Sequence, residues 1–183
     1  MKIKKNKENL VVNTDGKNVL FYLKGNVDFS DYSSVVNLSS EVLAGSNVMS
    51  SPGEYEIQDI LFSIFAYGEN LDHPDIIFLD SNENIRVMYI LPHVENVDKS
   101  IIEKLPDVNV LITEIDGSKL SNKLQIVSDL EPDYFVPLVD KTRVEEINKE
   151  MGISNIEVVA TLNINSKDTE SESAELKVYL LNN

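Results

Sequence analysis

Two imidazoles and no thiol bound the chemistry open to this chain. Its 183 residues contain two His, no Cys, and 31 Asp and Glu against 16 Lys and Arg, a formal charge of −15. Without Cys there are no disulfides, thiolate metal sites or Cys nucleophiles. A hydrolytic zinc site needs three or more N, S or O donors and an open position for water, and two His supply only part of such a set. His93, in Leu91-Pro92-His93, is a candidate residual ligand, or a general base paired with Glu114 or Asp140. Its plainer reading is a partly exposed loop His. His73, in Leu71-Asp72-His73-Pro74, reads as a turn residue ahead of a strand. Glu114, Asp116 and Asp140 fall at or just beyond the C-terminal ends of predicted parallel strands, where α/β sheets hold their ligands. A hard cation such as Mg²⁺ or Ca²⁺ would suit these oxygens, although Asp116-Gly117 is also an ordinary turn and chance clusters are common in so acidic a chain. Glu54 and Glu56 alternate with Tyr55 and Ile57, the pattern of a half-solvated strand. Ser39 and Ser40 lack both a G-x-S-x-G elbow and a His placed to activate them. The charged run from Asp168 to Glu175 reads as a solvated loop or as a docking tail for a basic partner.

The acidic surface works against nucleic acid and anionic membrane as partners, because no basic patch lies beyond the first seven residues to override the field. Apolar residues make up 42% and charged residues 26% of the chain, the composition of a soluble globular protein. The basic start leads into no apolar h-region, and no run approaches the length of a membrane span. The expected location is the cytoplasm.

Periodicity and punctuation predict the elements that carry these residues. Leu10 to Val12 and Val19 to Leu23 flank Asn13-Thr14-Asp15-Gly16, whose Asp-Gly pair tolerates the positive φ of a hairpin turn. Val35 to Leu38, Asn47 to Met49 and Tyr55 to Ala66 read as strands separated by Ser, Gly or Pro. Asp75 to Leu79 and Ile85 to Leu91 form a second hairpin around the polar segment 80–84. After Pro92 the period becomes helical. Val97, Ile101, Ile102 and Leu105 predict a short helix capped by Asn96, and Leu120, Leu124, Val127 and Leu130 predict a second that stops before Pro132. Thr142 and Glu145 form a capping box for a third, with Val144, Ile147 and Met151 as its apolar stripe and Gly152 as its left-handed C-cap. Val108 to Ile115, Tyr134 to Leu138, Ile156 to Leu162 and Leu176 to Leu181 are the remaining strands, with a loop over 165–173. Hairpins followed by alternating strands and helices make one α/β domain over residues 1–183.

The string Ser51-Pro52-Gly53-Glu54-Tyr55-Glu56-Ile57, followed by Asp107-Val108-Asn109-Val110-Leu111-Ile112 and by Leu130-Glu131-Pro132-Asp133-Tyr134-Phe135-Val136-Pro137, resembles the metallo-β-lactamase superfamily. The likeness is to its small bacterial and archaeal branch of Zn-dependent hydrolases, and it spans roughly Val35 to Gly152. The resemblance implies an αββα sandwich, two mixed sheets face to face with helices outside. It also implies where metal ligands would stand. The family's HxHxDH loop falls on residues 39–47, so Ser40, Val42, Ala44 and Gly45 occupy three His positions and an Asp position. The bridging Asp falls on Pro92 and the last His on Val139. Val, Ala and Pro side chains offer no lone pair to a cation. The resemblance therefore implies the fold without the chemistry: a non-catalytic, metal-independent pseudoenzyme with no cofactor, serving a binding or structural role through a protein partner or self-association. The alternative is a metal-dependent hydrolase with a rebuilt site, holding zinc or another divalent metal on His93, Glu114, Asp116 or Asp140.

Overall fold

The computed structural model describes residues 1–115, 120–153, 156–169 and 175–182. The first part of the chain forms β1 (Lys2–Asn6), β2 (Asn9–Thr14), β3 (Lys17–Tyr22), β4 (Ser34–Asn37) and β5 (Val48–Met49). Two hairpins follow, β6 (Gly53–Ile57) with β7 (Ile60–Phe65) and β8 (Ile76–Asp80) with β9 (Arg86–Ile90). The remainder runs α1 (Lys99–Ile102), β10 (Val110–Glu114), α2 (Leu120–Leu130), β11 (Tyr134–Leu138), α3 (Val144–Met151), β12 (Glu157–Val159), β13 (Leu162–Asn163) and β14 (Lys177–Leu181). One sheet has the order β13-β1-β2-β3-β4-β5 and the other β12-β14-β11-β10-β9-β8-β7-β6. Both are mixed. In the second, β6 to β9 are antiparallel and β9, β10, β11, β14 and β12 are parallel. Among the described residues no helix is long and apolar enough to cross a membrane.

The strand pleat explains how the layers adhere. Val87 and Tyr89, Val110 and Ile112, and Tyr134 and Val136 point inward to meet Ile3, Leu10, Val12, Val19 and Phe21 of the first sheet. The alternate residues Met88, Ile90, Leu111 and Phe135 point outward, where α1, α2 and α3 cover them. Strands buried on both faces read as continuous apolar runs, which is why β9 to β11 were legible. The outer face of the first sheet carries Val11, Leu20, Tyr22 and Val35. No α-helix covers it among the described residues; Val27, Phe29, Tyr32 and Leu43, from the loops after β3 and β4, pack there instead.

Several expectations change in detail. Asp15-Gly16 is the predicted hairpin turn, with φ of 52° and 72°. The run from Tyr55 to Ala66 is not one strand, because Gln58 and Asp59, at φ 51° and 61°, close a second two-residue hairpin without any Gly. Helix α1 is a single turn capped by Asp98, which accepts from Ser100 N at 2.7 Å, rather than a longer helix capped by Asn96. The Thr142 capping box does not form, since Thr142 donates from N and Oγ1 to Asp140 Oδ1 in a 3₁₀ turn leading into α3. Gly152 is the left-handed C-cap, as its position predicts. The single strand expected over Ile156 to Leu162 divides between the sheets, with β12 beside β14 and β13 beside β1.

Candidate functional site

Both imidazoles converge on one buried carboxylate. Asp75 precedes β8 and is 1% exposed. Its backbone N–H donates to Phe65 O at 2.9 Å and its carbonyl accepts from Leu91 N at 3.0 Å, fixing it between β7 and β9. Its side chain accepts from Tyr67 N at Oδ2, 2.7 Å, and from His73 Nδ1 at Oδ1, 2.6 Å. His93 brings Nε2 to 3.1 Å from that same Oδ1. An isolated carboxylate buried this deeply would be strongly destabilising, so partners on both oxygens are what permit it.

His93 is held in place from behind. Leu91 to Val94 form a tight turn, with Val94 N donating to Leu91 O. Lys123 of α2, fully buried, donates from Nζ to Leu91 O at 2.8 Å and to Val94 O at 2.6 Å. The stripe of α2 is therefore turned relative to the sequence expectation: Leu120, Lys123, Ile126 and Val127 are buried, and Leu124 and Leu130 lie only partly inside. A Lys in an apolar pattern carries no signal of such a role.

The two His and Asp75 line a cleft of about 470 Å³, together with Tyr67, Glu69 and Asn70 and with Leu38 and Leu91 at its junction between the sheets. With Nδ1 turned to Asp75, Nε2 is the His73 nitrogen left to meet a substrate, the arrangement a general base uses. The described lining contains no Ser, Thr or Cys to serve as a nucleophile.

The other candidates lie elsewhere. Glu114 Oε1 accepts from Tyr89 OH at 2.6 Å, and Tyr89 stacks on Phe21 inside the sandwich. Burial, first, and the charge of Glu114 raise the Tyr89 hydroxyl well above its ordinary pKa, so it stays protonated and donating. Asp140 is held below its usual range by the Thr142 N–H and hydroxyl, a capping role. His93 thus pairs with neither Glu114 nor Asp140. Asp116 lies outside the described residues, as does most of the charged run from Asp168 to Glu175.

The loop that would carry metal ligands is turned elsewhere. Asn37, buried at the end of β4, accepts from Ser39 N and Oγ and donates to Glu41 O, curling the chain into a tight loop. Glu41 Oε2 accepts from Tyr22 OH at 3.0 Å, and Leu43 packs on the outer cluster of the first sheet. Val42 is 99% exposed at the tip. Neither Ser40, Val42, Ala44 and Gly45 nor Pro92 and Val139 line the cleft that holds the two His. Val139 packs instead among the apolar residues under the helices. No imidazole or carboxylate stands at any of these positions, and among the described residues no group of three or more His, Asp or Glu is arranged to hold a metal ion. The side chains at these six positions do not make up the donor set of a hydrolase's zinc.

No family model and no curated protein matches the sequence. Solved structures do match the fold. A protein described as a Zn-dependent hydrolase of the metallo-β-lactamase superfamily, from Thermotoga maritima, superposes with a TM-score of 0.74 at 16% identity, covering 98% of this chain and 97% of that one. An isothiocyanate hydrolase from Delia radicum gut bacteria gives 0.56 at 11% identity, over 84% and 93% of the two chains. A metallo hydrolase from Ignicoccus hospitalis gives 0.54 at 12% identity, over 90% and 99%. With two face-to-face mixed sheets matched along nearly the whole of both chains, this protein has the metallo-β-lactamase fold.

Proposed function

We propose that this chain is a metallo-β-lactamase-fold protein without hydrolytic chemistry, serving as a binding or assembly module. The observation that carries the reading is the state of the ligand positions: Ser40, Val42, Ala44, Gly45, Pro92 and Val139 present neither imidazole nor carboxylate, and the loop over 39–47 folds against the outside of the first sheet. A transition metal needs converging donors that replace its hydration, and small or apolar side chains cannot compensate for that loss. Protein purified without chelators is expected to carry no stoichiometric zinc and to melt at the same temperature with or without EDTA. Stoichiometric metal together with a fall in Tm on chelation would refute the reading.

The His73–Asp75–His93 arrangement favours a second reading, an enzyme with a rebuilt site, because a carboxylate that orients an imidazole is the core of many general-base systems. It requires an activity on phosphoesters, lactones or amides that His73→Ala abolishes while the fold is retained. A screen of these classes without turnover removes it.

A further inference from the structure

A second cavity lies at the opposite end of the second sheet from the His cleft, where the parallel strands begin. It is a groove of about 1180 Å³ between the C-terminal ends of α2 and α3. Val108, Leu124, Val127, Leu130, Met151 and Leu176 supply its apolar residues, and Asp107, Glu131, Asp133 and Glu150 make it acidic. Arg86 is the cation lining it among the described residues; Nη1 donates to Asp107 O at 3.5 Å, and Nε, without a hydrogen bond, stands 3.7 Å from Asp80 Oδ1.

Two further features deepen the negative potential. The C-terminal ends of α2 and α3 both reach the groove, and each brings the partial negative charge of its last carbonyls. The last turn of α2 contains no basic residue to offset it, whereas that of α3 contains Lys149. Glu131 then follows α2 as its closing residue with φ 44°, donating its N–H to Val127 O. A non-Gly residue in the left-handed region, and an acid at the negative end of a helix, are both locally unfavourable. The left-handed close of α2 ahead of Pro132 leaves this acid at the groove mouth, beside the last carbonyls of the helix.

We propose that this groove receives a cationic amphipathic segment of a protein partner, its apolar side chains on Leu124, Val127 and Met151 and its Lys or Arg among the acids. The inference rests on the binding role proposed above and gives it a location and a partner chemistry. Among the described residues a second copy offers no matching exposed segment: the exposed large apolar residues Val42, Leu61, Leu71 and Val158 have no Lys or Arg beside them in sequence, and Ile3, within the basic start of the chain, is fully buried. The net charge of −15 favours fast capture of a basic partner at low salt.

The probe is a fluorescein-labelled amphipathic helix of Leu and Lys about five turns long, followed by anisotropy against the full chain at low salt. Glu131→Lys with Glu150→Lys is expected to weaken binding by about tenfold or more, and Glu54→Lys with Glu56→Lys, an equal charge change on β6, by less than about twofold. Glu131→Gly, which suits the left-handed backbone, removes one groove charge without threatening the fold and is expected to weaken binding while preserving Tm. Absence of binding, or equal weakening by both Lys pairs, overturns the proposal. Self-association of the protein that the groove pair abolishes would assign the groove to a second copy and overturns it as well. Zinc is measured on the same stock, so a failure of the metal-free reading is recorded separately from a failure to bind the helix.

Discussion

His73 and His93, carried by loops before β8 and after β9, reach the same oxygen: His73 Nδ1 is 2.6 Å and His93 Nε2 is 3.1 Å from Asp75 Oδ1. The carboxylate between them is the buried joint of the cleft, accepting as well from Tyr67 N, while its main chain bonds to Phe65 and Leu91. Its removal should therefore be felt in the fold before it is felt in any chemistry.

Asp75→Asn replaces an acceptor of charge-assisted bonds with a neutral amide at a buried position. It is expected to lower stability by about 2–4 kcal/mol, against about 1 kcal/mol or less for His93→Ala, whose ring is half exposed. Urea denaturation of the three proteins checks the order, and equal losses for the two variants would contradict it.

Lys123→Met keeps an unbranched side chain, one atom shorter, and removes the buried ammonium that donates to the carbonyls of Leu91 and Val94. The expected cost is about 3 kcal/mol, with faster amide exchange through residues 91–94. A variant as stable as the parent would show that the turn does not depend on the cation.

Glu83 makes a pH-dependent contribution. Burial pushes its carboxyl up, but hydrogen bonds from the Met1 ammonium and Asp15 N–H, with the ammonium charge, outweigh burial and hold it below the usual range. With the folded value depressed, the contribution is complete above the unfolded pKa and is lost as pH falls through the folded one. The stability difference between the parent and Glu83→Gln should shrink as pH is lowered from about 5 to about 3. A difference that stays constant or grows on acidification would contradict the sign.

The β6–β7 turn can be improved. Asp59 holds φ 61° and is largely exposed, and its ion pair with Lys17 is a surface one. Asp59→Gly should raise stability by about 0.5 kcal/mol or more, because the relief of left-handed strain exceeds the value of an exposed pair. Thermal melting gives the sign.

What was legible in the sequence was local. Asp15-Gly16 announces its hairpin because Gly accepts the conformation the turn demands, and β9 to β11 announce themselves as unbroken apolar runs. Gln58-Asp59 closes the same kind of turn with residues that do not advertise it, so one strand was expected where two exist. The buried face of α2 departs from the apolar pattern because Lys123, polar by type, is inside, where it meets two carbonyls. His73 and His93 stand in loops, as their flanking residues predict, but their meeting at Asp75 depends on the register of β8 against β9, where Ile76 pairs with Ile90. Asp75 itself looked like the first residue of a strand. No local pattern encodes a contact made across the ends of two loops.

The positions where ligands would stand bear the central claim, and metal content tests it most directly. Inductively coupled plasma mass spectrometry on protein purified without chelators, after incubation with zinc and removal of the excess, should find well under one metal ion per chain. A stoichiometric ion retained through that step, and released together with stability by EDTA, would contradict the claim.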